Sequence, residues 1–256
     1  MASRLRGVLA IILIAVLWEA LSRASLINPN IIPPLSVVIE TIFKETTQGR
    51  LVSDALHSLR RVLVGFGISA VLAISLGILA ALMKYVGDLV RPIVDLIRPI
   101  PPIAWIPIAL LWFGFGDPPA YFLVGLGAFF PIFTNAYLGV SLVEQETVEV
   151  ALCHGASRQL LFREVILPQA LPLIFVGLRT GLGVAWMVVI TAELVGAQSG
   201  LGYMIQISRA QLQAEQVVAG MVVIGLIGFG LNRIMIMLAR WFMPWRERGK
   251  SLLAEE

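Results

Sequence analysis

Long apolar runs separated by short charged stretches organise this chain. A bilayer core of about 30 Å is crossed by roughly 20 apolar helical residues. Residues 62–82 run for 21 positions without a charge, 99–115 for 17 and 120–143 for 24. Residues 171–192 are interrupted only by Arg179, and 217–239 only by Arg233. A sixth, weaker run, 7–21, follows Arg4 and Arg6 and carries Glu19 near its end. A signal peptide is the alternative reading of that run. No clear small-x-small cleavage site follows it, so a retained first span is expected. The expectation is an all-α polytopic membrane protein of six helices. Its parts are a first span at 1–24, a loop at 25–61, five further spans within 62–245 and a tail at 246–256.

Composition agrees with this pattern. The chain is 58% hydrophobic and 14% charged, against about 25% charge in a soluble domain. The net charge of +3 is too small to suggest nucleic acid as a partner. The placement of the charges says more than their sum. With the N-terminus inside and six alternating spans, eleven Lys and Arg fall on the inner side and six on the outer. This supports an N-in, C-in topology, although Arg60 and Arg61 fall on the outer side and count against it. Trp241 and Trp245 suit an interfacial position beside the basic tail. Between the first two spans, the turn-forming NPNIIPP at 28–34 precedes a mixed stretch, 35–46, read as an interfacial amphipathic helix.

Enzyme chemistry finds little support. Cys153 is the single cysteine, so neither an intrachain disulfide nor a multi-Cys metal site can form. His57 and His154 have no cluster of carboxylates around them, and no GxxxxGK[ST] phosphate loop occurs. The chain is expected to bind no cofactor and no metal itself. A secondary transporter would need inverted repeats and buried titratable groups for ion coupling, and no repeat is seen.

The polar stretch 149–168, EVALCHGASRQLLFREVILP, lies between two long apolar runs. A loop of this length with helices of its own offers a surface to a soluble partner. Small Ala151 would allow close approach to such a partner. Gly155 suits the left-handed residue that ends a helix, and Ser157 suits the N-cap of the next. Leu167, Pro168 and Pro172 are expected to redirect the chain into the following span. His154 and Cys153 are read as structural.

This stretch resembles the "EAA" loop of ABC-importer permeases: Glu149, Val150 and Ala151, then Gly155, then Val165, Ile166, Leu167 and Pro168. Val150 and Val165 are its small departures from the family pattern. RPIPPIAWIPIALLWFGFGDPP, LPLIFVGLRTGLGVAW, TAELVGAQSGLGYMIQ and VVAGMVVIGLIG are similar to the branch serving taurine, aliphatic sulfonates, nitrate and bicarbonate. The resemblance implies the type I importer fold in a bacterial inner membrane, and a homodimer working by alternating access. It also implies two ABC ATPase subunits, which would hold the ATP and Mg, and a periplasmic substrate-binding protein delivering a small anion. Residues 144–172 would then dock on the ATPase, with Glu149, Ala151, His154, Gly155, Ser157, Leu167 and Pro168 at the contact. The intact Gly155, GLGYMIQ and Pro244–Trp245 look more like the taurine and sulfonate members than the nitrate, cyanate or bicarbonate ones.

The path itself has candidates. Pro92, Pro99, Pro101, Pro102 and Pro107 cannot share one straight helix, and the carbonyls they free must be met by protein or cavity water. A broken helix at this depth suggests a path-lining element. Arg98, Arg179, Arg233, Asp95 and Glu193 are charges in or beside spans, expected to face the interior and to pair. Arg98 and Arg179 are expected to contact Asp95 or to form a basic constriction. Arg179 and Glu193 lie about 21 Å apart along one helix and cannot pair with each other. Arg98, Pro101, Pro102, Trp105, Arg179, Trp186 and Glu193 are the path candidates. Gly177 and Gly181, with Gly65, Gly67 and Gly77, are expected to permit close helix packing.

Overall fold

The structure, a computed structural model, describes residues 2–24, 28 and 31–245. Among them the chain is helical: α1 (Ala2–Arg23), α2 (Leu35–Thr47), α3 (Arg50–Leu82), α4 (Lys84–Ile97), α5 (Ile106–Phe113), α6 (Asp117–Ser141), α7 (Gln145–Cys153), α8 (Arg158–Leu161), α9 (Leu167–Gly196), α10 (Leu201–Ala210) and α11 (Ala214–Phe242). Among the described residues, four helical segments are long and apolar enough to cross a membrane, and a bent pair makes a fifth. The expected first span is α1, a helix of 22 residues. The tail 246–256 lies outside the described residues.

α6 is the centre of the bundle, with α3 on one side and α9 on the other. Small residues make that proximity possible. A Cβ at Gly65 on α3 would sit 2.8 Å from the Tyr121 carbonyl oxygen of α6. One at Gly177 on α9 would sit 2.7 Å from the Asn135 Cβ of α6. Gly77 and Gly181 make similar approaches, whereas Gly67 faces open space. The glycine-rich pattern therefore marks helix contacts at four of its five positions.

The third apolar run is broken, as its prolines require. Pro92 lies inside α4, Pro101 is extended, Pro102 opens a 3-10 turn ending at Trp105, and Pro107 sits in the first turn of α5. The segments Lys84–Ile97 and Pro102–Phe113 meet at 87°. The break falls between Ile97 and Pro102, so the expected run 99–115 is only the second arm of a bent unit. The first arm, α4, packs Val86, Val90, Val94 and Ile97 on the core.

Two expected boundaries move. α3 begins at Arg50 rather than at residue 62, so Arg60 and Arg61 are helical and not part of a loop. Leu167, Pro168 and Pro172 are expected to redirect the chain into the next span, but helix continues from Arg158 to Gly196 as one segment of 39 residues with both prolines inside it. A wide π-helical turn at Phe162–Ile166, closed by Leu167 N–H donating to the Phe162 carbonyl, precedes Pro168. Proline lacks an N–H and crowds the carbonyl four residues back. The wider turn before Pro168 accommodates both, so the helix is not ended.

The far end of the bundle is tied by charge. Arg61, 2% exposed, donates from Nη1 to Glu193 at 2.7 Å and from Nε to Asp117 at 2.8 Å. Its Nη1 and Nη2 also reach the Ser199 carbonyl at 2.6 Å and the Ser199 hydroxyl at 2.8 Å. Glu193 accepts further bonds from the Ser58 hydroxyl at 2.8 Å and Gly202 N–H at 2.9 Å. Leu201 N–H donates to Ser58 Oγ and Gly200 N–H to Asp54, each at 2.9 Å. Three N–H groups at the start of α10 are thus satisfied from α3 and α9, where helix ends otherwise leave donors bare. Gly200 has φ +106°, and a Cβ there would collide with the Glu193 carboxylate. One cluster joins α3, the start of α6, the end of α9 and α10.

Breaking such a buried pair costs about 3–5 kcal/mol. Loss of Arg61 leaves the Glu193 carboxylate without its counter-ion, and loss of Glu193 leaves Arg61 with Asp117 alone. Arg61→Ala and Glu193→Ala are each expected to lower the unfolding temperature of the detergent-purified protein sharply. The exposed control Lys44→Ala should leave it unchanged. Losses no larger than the control's would show that the cluster does not hold the bundle.

Candidate functional site

Residues 144–172 form the end of the bundle opposite the charge cluster, between the end of α6 and the start of α9. α7 ends in a left-handed Gly155, φ +78°. Gly155 N–H donates to the Leu152 carbonyl at 2.9 Å, and Ala156 N–H to the Ala151 carbonyl at 3.1 Å. This pair of bonds is the Schellman helix end. Ser157 caps α8, its hydroxyl accepting from Leu160 N–H at 3.3 Å. Both local expectations are met because both rest on short-range backbone chemistry.

Neither α7 nor α8 has a buried residue. Val150, Leu152 and Leu160 are apolar and at least half exposed. Glu149 is held by Gln145 at 2.9 Å, and His154 Nδ1 lies 2.8 Å from the Val150 carbonyl oxygen. Ala151, Leu167 and Pro168 are half-buried, and Cys153 is exposed. The loop's turns are closed by local hydrogen bonds and its surface is bare.

A second region lies along α9. Val176, Arg179, Thr180, Gly183 and Met187 are exposed, at steps of three and four residues that put them on one stripe. Arg179 is near the middle of α9, about 18 Å from its start at 1.5 Å per residue. Two cavities open beside the stripe. One, of about 360 Å³, is bounded by Pro101, Pro102 and Ile106 and by Val184, Met187 and Thr191 of α9. The other, of about 190 Å³, lies between α9 and α11, with Arg179, Gly183 and Trp186 facing Gly228 and Asn232.

The expected path residues divide accordingly. Pro101 and Pro102 line the first cavity, and Arg179 and Trp186 the second. Trp105 is half-buried, edge-on to Phe122 at a centroid distance of 6.5 Å, and its indole N–H is buried with no hydrogen-bond partner among the described residues. Glu193 lines neither cavity, because the Arg61 cluster encloses its carboxylate. Arg98 is exposed at the end of α4 and lines neither cavity. The expected contact of Arg98 or Arg179 with Asp95 is absent among the described residues. Arg179 donates instead from Nε to Asn232 Oδ1 at 2.7 Å. Arg233 stacks over the Phe229 ring at 5.2 Å.

Three residues escaped the sequence reading. Asn232 was overshadowed by its charged neighbour Arg233. Thr191 is an ordinary residue in an apolar run. Arg61 was placed outside the bundle, although a signal existed. Ser58, Arg61, Gly65, Ser69, Ala73, Gly77 and Ala80 recur at steps of three and four, and all are buried on α3.

The family model for the binding-protein-dependent transport system inner membrane component matches residues 73–248. A putative ABC transporter permease of Methanocaldococcus jannaschii is 37% identical, the match covering 93% of this chain and 91% of that protein. The Escherichia coli taurine transport system permease is 36% identical, over 93% and 88%. The Synechocystis nitrate import permease is 30% identical, over 95% and 91%. A solved structure of inward-facing conformations of the MetNI methionine ABC transporter has a chain that superposes with a TM-score of 0.60. It is 23% identical, and the match covers 75% of this chain and 98% of that one. That likeness shows the fold, which is that of an ABC-importer transmembrane subunit. With the family model spanning most of the bundle and relatives matched almost end to end, the chain belongs to the inner membrane components of binding-protein-dependent transport systems, permease subunits of ABC importers that are not themselves enzymes.

Proposed function

We propose that this permease forms the translocation path for a small oxoanion, taurine or an alkanesulfonate, and takes its driving force from ATPase subunits through residues 144–172. The observation that carries the reading is the uncovered stripe of α9. A lone arginine halfway along an apolar helix is costly against lipid. Arg179 and Thr180 must therefore face protein or water, and a second copy of the chain across a two-fold axis supplies that cover. Two α9 stripes would then enclose a path bearing two guanidinium groups, which attract anions and repel cations. The resemblance of Gly155, GLGYMIQ and Pro244–Trp245 to the taurine and sulfonate members favours sulfonates. The second reading, import of nitrate, cyanate or bicarbonate, keeps the same path and draws on the relative that imports nitrate.

The loop supports the coupling role by shape. Its backbone is closed by the helix end at Gly155 and the cap at Ser157. Its exposed Val150, Leu152 and Leu160 suit an apolar cleft on a soluble partner. A pull on the loop would reach α9 directly, since helix runs unbroken from Arg158 to Gly196. The ATP and Mg would belong to that partner, and a binding protein would deliver the ligand to the opposite face.

Two outcomes are expected. Reconstituted with its ATPase, the permease should support hydrolysis stimulated by a binding protein loaded with taurine or an alkanesulfonate. Stimulation by a nitrate-loaded protein alone would transfer the assignment to the second reading, and failure of any ATPase to copurify would remove the importer assembly. Gly155→Asp should abolish ATP-driven uptake while leaving membrane insertion intact, with only a modest loss of thermal stability from the left-handed backbone at φ +78°. Open space surrounds the site of its Cβ, and Asp tolerates the left-handed region. Wild-type uptake in this variant would remove the coupling role.

A further inference from the structure

The small cavity between α9 and α11 has the chemistry of a receptor, and we propose that it is a binding subsite for the oxoanion head of a short alkanesulfonate. The inference rests on the importer reading above and names the groups that would hold the ligand.

Arg179 has five N–H donors in a planar fork and no acceptor. Nε is used on Asn232 Oδ1. Its Nη groups have no partner among the described residues. Because arginine can only donate, the Asn232 oxygen must be the atom facing it. That fixes the amide, and its NH2 is left with no partner among the described residues. The site therefore offers six N–H donors, two on each of Nη1, Nη2 and Nδ2, and among the described residues no carboxylate lines the cavity. Asn232 orients the guanidinium without neutralising it.

The walls select the rest of the ligand. Trp186 donates its indole N–H to the Ile224 carbonyl at 3.1 Å, so it presents a ring and no free donor. Gly228 lies against that ring, where a Cβ would be 3.0 Å from Cδ1 and Nε1. Leu182 and Leu231 complete an apolar side. A volume of about 190 Å³ is that of roughly six waters at about 30 Å³ each. It admits an oxoanion head with one or two carbons. Two sulfonate oxygens match the Nη fork, as a carboxylate or phosphate does, and the first methylenes meet Leu182 and Leu231. The cavity has no acid for a distal ammonium, so it reads the head and takes ethanesulfonate and taurine alike. A bare nitrate would leave the apolar side wet.

The test is a fluorescence titration of the permease with its ATPase in zwitterionic nanodiscs, with Trp186 as the reporter. Ethanesulfonate should give a saturable change and neutral diethyl sulfone none. Trp186→Phe should remove the signal. Asn232→Leu and Arg179→Lys should each weaken binding by about tenfold, and Arg179→Gln by more, as the charged fork is loosened, replaced or lost. Repeating the titration with phosphatidylglycerol separates a substrate site from a lipid headgroup site. The proposal is overturned if wild type shows no saturable sulfonate response, if Arg179→Gln binds unchanged, or if the anionic lipid abolishes the response. Ligand-stimulated ATP hydrolysis in the same discs reports on the importer assembly separately. If no ATPase assembles, the importer reading fails while titration of the permease alone still decides the subsite.

Discussion

The buried contact between Arg61 and Glu193 is the constraint on which the rest of the bundle depends. Neither ion is stable in an apolar interior by itself. Together, with Ser58, Asp117, Ser199 and the first N–H groups of α10, they saturate each other's hydrogen bonds. Satisfying them requires α3, α6, α9 and α10 to meet at one place and in one register. It also dictates Gly200, since no side chain fits beside that carboxylate. α9 is thereby pinned at one end. At its other end it runs through a widened turn into α7 and α8, which bury nothing of their own. Under the proposed coupling, a helix fixed at one terminus and offered to a partner at the other would convert contact at the loop into movement along the path.

Two arginines within apolar helices show how partners decide a role. Arg61 meets two carboxylates and a serine, and is sealed from solvent. Arg179 meets one neutral amide and remains exposed. The first is a structural charge whose attraction is consumed within the chain. The second keeps its charge available, on an exposed stripe of α9. The residue type is the same and both lie within long helices, Arg61 just ahead of an apolar run and Arg179 inside one, but the neighbours decide the role.

Features set by short-range chemistry were legible in the sequence. Gly155 closes a helix and Ser157 opens one because those residues satisfy helix ends through atoms a few positions away. The prolines of the third run had to break it, and they do. Pro168 defeated the same reasoning. A proline stops a helix only if the turn before it cannot widen, and the π-helical turn at Phe162–Ile166 does widen. The start of α3 was misplaced for a different reason. Charge alone made Arg60 and Arg61 look like loop residues, while the spacing of small and polar residues from Ser58 to Ala80 already marked a buried helical stripe.

The sequence by itself determined the helical membrane class, most of the spans, the turn chemistry of the loop between α6 and α9, and the family to which the pattern belongs. These follow from hydrophobic length and from local backbone bonds, which need no knowledge of distant residues. The tertiary structure alone decided that Glu193 belongs to Arg61, that Arg179 belongs to Asn232, and that Pro101 and Pro102 face the stretch of α9 that carries Thr191. Glu193 and Arg61 are 132 positions apart, and Arg179 and Asn232 are 53. Such pairings arise from how helices pack, and no periodicity within one helix encodes which face of another it will meet.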